Sequence, residues 1–195
     1  MARQWFMPGI DALHRGGMID EDGTEEYFVP VVGMLNEATL SAAFTSSNLA
    51  LHHSGASDLG GAIGAVLTDD ALNNLWDNVS PAEAGAGDTE YRCAYVKNTH
   101  GSLSVANVTV EIDTDPAESN WEIALGAAGK NGTETAVADE DTAPSTPTFG
   151  TTPLSLGTLA AGDFYPIWIK RIVPAAAGAA TPDSGVLRIL GDDPH

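Results

Sequence analysis

From residue 88 onward, apolar and polar positions alternate with a period of two. Tyr91, Cys93 and Tyr95 alternate with Arg92, Ala94 and Val96; Val108, Val110 and Ile112 alternate with Thr109, Glu111 and Asp113; Trp121, Ile123 and Leu125 alternate with Glu122 and Ala124. Each set predicts a half-buried strand, because successive side chains of an extended chain point to opposite faces. Leu154-Ser155-Leu156 precedes a turn at 160–163, residues 164–173 are apolar on both faces as a central strand between packed layers would be, and 186–190 supplies a last strand. Turn signals at 98–101, 115–116, 129–132, 144–147 and 174–185 separate these runs, with no helical period between them. Residues 88–195 are therefore expected to form an antiparallel β-sandwich of immunoglobulin-like type, with a jelly roll as the competing topology.

The start of the chain carries a near-repeat. Trp5-Phe6-Met7-Pro8 followed by Gly17-Met18-Ile19-Asp20-Glu21 is echoed by Tyr27-Phe28-Val29-Pro30 followed by Gly33-Met34-Leu35-Asn36-Glu37, with an insertion between Pro8 and Gly17 in the first copy. Each copy reads as two short extended pieces joined by a turn, and an isolated pair of that kind is marginal in water. Residues 1–45 are thus expected to be an extended arm of hairpin-like units that lies on its own domain or on a neighbouring subunit. Pro8 and Pro30 confine their runs to edge strands or extended segments, and Asp20-Glu21-Asp22-Gly23 is a turn signal. Residues 40–44 and 48–52 are read as two further short strands.

Residues 46–87 read as a connector. The stretch 54–64 is too glycine-rich to stay regular. Asp69 and Asp70 then precede Leu72, Leu75, Trp76 and Val79 at helical spacing, which predicts one short helix near 70–79. Ser80-Pro81 is expected to end it, since a residue before proline is pushed out of the helical region, and 82–87 is a small-residue linker.

Charge narrows the partners. With 27 acidic residues against 8 basic ones, the formal net charge is -19. Such a surface repels phosphates and anionic headgroups, so no nucleic acid and no membrane are expected as partners. The same imbalance suits a protein living in high or marine salt, where screening relieves self-repulsion, and equally suits one that is merely very soluble. The start of the chain lacks a basic region followed by an apolar run, and no apolar stretch approaches the ~20 residues that span a bilayer. Synthesis in a cytoplasm is expected, with exit by lysis or a specialised route.

Candidate chemistry is sparse. Cys93 is the single cysteine and its strand context reads as a buried structural thiol. His52-His53 would point to opposite faces of a strand and so not converge on a metal. Asp113, Asp115 and Glu118 could collect calcium ligands, but the pattern lacks the glycine and terminal glutamate of an EF-hand, and a solvated loop is the simpler reading. Asp139-Glu140-Asp141 reads as an acidic loop. The chain has no Gly-x-Ser-x-Gly elbow and no phosphate loop, and sequons at Asn78, Asn107 and Asn131 carry no weight without a secretory signal. No residue is assigned to catalysis, a cofactor or a metal, and the chain is not expected to be an enzyme. The aromatic and thioether side chains of the arm remain as the candidate interface: Trp5, Phe6, Met7, Pro8, Met18, Tyr27, Phe28, Pro30 and Met34.

Residues 73–77 and 85–100, with 122–126, 138–140 and 167–171, resemble a group of tailed-bacteriophage and prophage virion proteins. The Phe-x-Pro and Gly-Met-Leu-Asn-Glu steps of the arm look like phage proteins that carry Pro-Gly and Asn-Glu hairpin repeats. The resemblance covers about two thirds of the chain. It implies a structural component of a virus particle with no catalytic residues. On that basis the chain is expected to be a capsid decoration or cement protein on the capsid exterior, made in the host cytoplasm. Its partners would be the major capsid protein and copies of itself, and a homo-oligomer around a local symmetry axis would suit a trimer. The competing expectations are a tail, baseplate or fibre component with a host-adhesion role, in which loops 127–150 and 174–185 form the working surface, and a carbohydrate-binding module.

Overall fold

The computed structural model describes residues 45–55, 57–68, 74–178 and 184–192, together with the backbone of four N-terminal strands. In chain order the strands are β1 (Gln4–Phe6), β2 (Gly16–Ile19), β3 (Glu25–Val31), β4 (Met34–Leu40), β5 (Leu49–Ser54), β6 (Ile63–Val66), β7 (Asp88–Asn98), β8 (Val105–Thr114), β9 (Asn120–Leu125), β10 (Leu154–Leu159), β11 (Phe164–Val173) and β12 (Val186–Asp192). A 3-10 turn at Ser46–Asn48 precedes β5, and helix α1 (Pro81–Ala86) precedes β7. The chain is mainly β. One seven-stranded sheet has the order β1-β2-β3-β4-β12-β8-β10, and one five-stranded sheet the order β6-β5-β7-β11-β9. Pairing is antiparallel except between β4 and β12, which run parallel.

The two sheets meet in a core that draws on both. Leu49, Leu51, Ala94, Val96, Ile123, Ile167 and Ile169 come from the second sheet, and Val105, Val108, Val110, Leu156, Leu159, Leu187 and Ile189 from the first. From β7 to β12 the chain changes sheet at every connection, so no two consecutive strands of that run pair with each other. β11 is covered on both faces: Ile167 and Ile169 enter the core, while Trp168 joins Cys93, Tyr95 and Ala124 in a second cluster on the outer side. That outer cluster is roofed by the loop between β9 and β10, which contributes Val137 and Phe149.

The structure departs from the sequence reading at several points. β7 is not half-buried: Ala94 and Val96 face the main core and Cys93 and Tyr95 face the outer cluster, so both of its faces are used. The strand expected at 48–52 is present as β5, whose Leu49 and Leu51 are buried in the core, while β6 lies in the glycine-rich stretch not expected to be regular; of the strand expected at 40–44, residues 41–44 lie outside the described residues. The sheet therefore needs strands N-terminal to residue 88. No helix spans 74–79, and 69–73 lie outside the described residues. The helix begins where it was expected to end. Ser80 accepts a hydrogen bond from the Glu83 N–H (3.3 Å), Glu83 Oε2 accepts one from the Ser80 N–H (2.6 Å), and Pro81 occupies the first helical position. Proline there forfeits no helical hydrogen bond, so Ser80-Pro81-Ala82-Glu83 is a capping box and a start signal.

Pro30 lies in β3, an interior strand by sheet order. β2 pairs with β3 only over residues 25–28, however, so Pro30 sits past the end of that ladder, opposite Leu35 of β4. A residue without an N–H is tolerated where one side of the strand has no ladder to complete. No helix among the described residues is long and apolar enough to cross a membrane.

Candidate functional site

The arm residues expected to form an interface are gathered on one ribbon. Trp5 and Phe6 lie in β1, Met18 in β2, Tyr27, Phe28 and Pro30 in β3, and Met34 in β4; Met7 and Pro8 lie outside the described residues. Trp5 is the register partner of Met18, Tyr27 stands opposite Gly17 and Ala38, and Met34 stands opposite Val31 and Leu187. Each copy of the near-repeat is thus a backbone hairpin, β1–β2 and β3–β4. The ribbon is joined to the body through the parallel β4–β12 ladder, from Leu187↔Met34 to Gly191↔Ala38. At its far side β1 is the sheet's edge strand.

A second site was not expected from sequence. Glu90 and Arg92 share a face of β7 with Ala94 and Val96, and Arg171 shares a face of β11 with Ile167 and Ile169, so the core of the body ends in charge. The guanidinium of Arg171 donates to Glu90 Oε2, and that of Arg92 donates to Glu140. Residues 74–80 cross this end as a strap. Arg92 Nε donates to the Leu75 carbonyl at 2.9 Å and Arg171 Nη1 to the Asp77 carbonyl at 3.2 Å. The Trp76 ring lies 5.4 Å from the Arg92 guanidinium carbon and 4.8 Å from that of Arg171, and 6.4 Å from the Trp121 ring. Two cations over one indole, with carbonyls as acceptors, fix the strap by cation–π attraction and hydrogen bonds together.

Burial is the dominant influence on Glu90, raising its pKa from 4.5 to about 7 against the opposing pull of Arg171. The residue is only 2% exposed. Its carboxylate is engaged by Arg171 and holds that guanidinium in place. Two overlapping acidic sets, Asp77–Glu90–Glu140 and Glu83–Asp88–Glu90, bring carboxylate oxygens within 4.8 Å of one another. Among the described residues these are the acidic groups close enough to share a cation, and the first set is already met by Arg92 and Arg171.

Comparison with family models, curated proteins and solved structures returns no match.

The remaining candidates fall apart as sites. The Nδ1–H of His52 donates to the Gly64 carbonyl at 3.0 Å, while His53 Nδ1 meets Asp58 Oδ2 at 2.8 Å, so the two rings engage different partners. Asp113 pairs with Arg188, Asp115 Oδ1 accepts the Trp121 N–H at 2.8 Å, and Glu118 Oε2 accepts the Gly178 N–H at 2.9 Å. These three carboxylates are dispersed onto separate partners rather than collected. Of the acidic triplet, Glu140 belongs to the strap network. Burial pushes the Cys93 thiol up to about 12, which keeps it protonated and unreactive near neutrality. The strap was missed because Arg92 and Glu90 look like solvent-facing members of an alternating strand. The available signal was Trp76-Asp77 immediately before a capping box.

Proposed function

We propose that this chain is a structural protein of a tailed virus particle, a capsid decoration or cement protein whose N-terminal hairpins bridge capsid subunits or its own symmetry mates. The observation that carries the reading is the β1–β4 ribbon, which continues one sheet outward from the two-sheet body and ends in an edge strand. An open edge offers a row of backbone donors and acceptors to a strand of a neighbouring chain. The ribbon also carries Trp5, Phe6, Met18, Tyr27, Phe28 and Met34 along its four strands, and aromatic anchors dominate interface energetics. The resemblance of residues 85–100 and 167–171 to virion proteins points the same way. A net charge of -19 keeps particles from adhering to one another.

Copy number and arm deletion test this. Quantitative staining of purified particles is expected to show hundreds of copies of a cement protein; a few copies per particle would instead place the chain in a tail, baseplate or fibre. A chain lacking residues 1–40 is expected to lose binding to particles, and retained binding would move the interface to the other end.

For the finer fold, the strict alternation of β7–β12 between sheets supports a jelly-roll-type arrangement over the immunoglobulin one. In the latter, the consecutive pairs A–B, D–E and F–G stay within a sheet. An experimental structure with a consecutive antiparallel hairpin anywhere between residues 88 and 192 would reverse that choice.

A further inference from the structure

We propose that the loop between β9 and β10 forms a binding groove for a cationic side chain, a lysine ammonium or arginine guanidinium carried on an extended polypeptide segment of a partner, with Glu134 as its anchor. This goes beyond the capsid reading, whose contact is the arm, and is tested independently of it.

The groove has a volume of about 540 Å³ and is lined by residues 127–128, 133–138 and 142–146. Its lining is small and hydroxyl-bearing, with Thr133, Thr135, Thr142 and Ser145 among it, and the one charged member is Glu134. Three acids are buried among the described residues: Asp58, Glu90 and Glu134. Asp58 faces His53 and Glu90 faces Arg171. Glu134 is 4% exposed, its carboxylate accepts one hydrogen bond, from the Ala128 N–H at 3.0 Å, and no basic side chain of the described residues pairs with it. A carboxylate offers about four acceptor positions, and a buried charge without a counter-charge is unfavourable. The missing element is a donor that brings positive charge.

The anchor is held in position from beneath. The Glu134 N–H donates to Tyr95 Oη at 2.9 Å, the Gly61 N–H to the Glu134 carbonyl at 2.9 Å, and the Val137 N–H to the Leu59 carbonyl at 2.8 Å. That close approach requires glycine at 60, where φ is +96° and a Cβ would stand 2.6 Å from the Thr135 carbonyl oxygen. Two backbone bonds thus tie residues 134–137 to 59–61. The N–H groups of Thr135 and Ala136 make no backbone bond among the described residues, which leaves them available to a chain docked alongside. Asp139, Glu140 and Asp141 follow directly on residues 133–138 and, with the net charge, draw cations toward them. The lining contains no aromatic ring on which a sugar could stack, so an extended polypeptide is favoured over a glycan.

The test titrates the full-length isotope-labelled protein with an acetylated, amidated Ala-Thr-Ala-Lys-Ala-Thr-Ala peptide and with its twin carrying Gln in place of Lys. Amide shifts are expected at 133–138 and 142–146 with the lysine peptide, and roughly tenfold weaker binding of the twin. Glu134→Gln keeps an acceptor for Ala128 and removes the charge, and should weaken the lysine peptide to the level of its twin with thermal unfolding no lower than native. Equal affinity of the two peptides, shifts confined elsewhere, or no binding at millimolar peptide overturns the assignment. So does a neutral oligosaccharide that fills the groove equally well in native protein and in Glu134→Gln. The two-peptide comparison on native protein decides the matter even where the variant fails to fold. Particle copy number and arm deletion do not enter this result, so the two readings fail separately.

Discussion

The two faces of β7 are both buried, yet they are closed by different chemistry. On the inner face the side chains run from Val96 and Ala94 in the core to Arg92 and Glu90 at its end, and the strap at 74–80 covers them. On the outer face Cys93 and Tyr95 pack with Trp168 under the loop that carries Val137 and Phe149. The inner closure depends on paired charges that must all be present, because removing one leaves another buried without its partner. The outer closure depends on apolar area and one phenol that bridges Gly61 and Glu134. Truncation on the outer face should therefore leave a cavity, and truncation on the inner face an orphaned charge.

The sharpest way to break the outer closure is Trp168→Ala, since Trp168 is fully buried. A loss of about 4 kcal/mol in urea unfolding is expected, and a loss under about 1 kcal/mol would mean the roofing loop collapses to fill the space. On the inner face, Arg171→Ala is expected to cost about 3 kcal/mol by removing the partner that opposes the burial of Glu90 together with the donor to the Asp77 carbonyl. Glu90→Leu combined with Arg171→Leu should recover most of it, because replacing both partners removes the desolvation problem. A double variant as damaged as the single one would show that packing, not charge, holds that end.

The pH dependence separates the faces further. Glu90 has a folded pKa of about 7, above its ordinary 4.5. Its contribution to stability is fully present below pH 4.5 and is lost as pH rises through about 7. Native protein should thus lose stability relative to Glu90→Gln across that window, by roughly 1–2 kcal/mol once solvent screening is allowed for. A difference curve that stays flat from pH 4.5 to 7.5 contradicts the assigned environment. The smallest effect is Tyr95→Phe, which removes one hydroxyl bridging two loops and should cost about 1 kcal/mol. Faster hydrogen exchange at the Glu134 amide, with the strap amides unchanged, would confirm that the loss is confined to the outer side.

Much of the strand content was legible because a half-buried strand writes its faces into the sequence. The runs at 108–112 and 121–125 alternate as β8 and β9 require, and the unbroken apolar run at 164–173 marks β11 as covered on both sides. β7 was legible as a strand but not in its orientation, since residues 92–96 are all buried and period-two alternation then cannot say which face meets the core. The spacing of Leu72, Leu75, Trp76 and Val79 is real, but Trp76 serves to cover charge at the end of the body, a use that overrides local helical pattern. The Ser80-Pro81-Ala82-Glu83 start signal was readable, and was masked by treating proline only as a terminator.

By itself, the sequence determined where the chain is extended, where it turns, that its surface is strongly acidic and that its first residues form two hairpin-sized units. These follow from local periodicity and residue chemistry, which need no knowledge of distant neighbours. Only the tertiary structure decided that β5 and β6 complete the second sheet, that two arginines clamp Trp76, and that Glu134 is buried with no counter-ion among the described residues. Such facts depend on pairings such as Arg171 with Glu90 or Tyr95 with Gly61, made between strands and loops far apart in the chain. Alternation along one strand carries no information about which strand lies beside it.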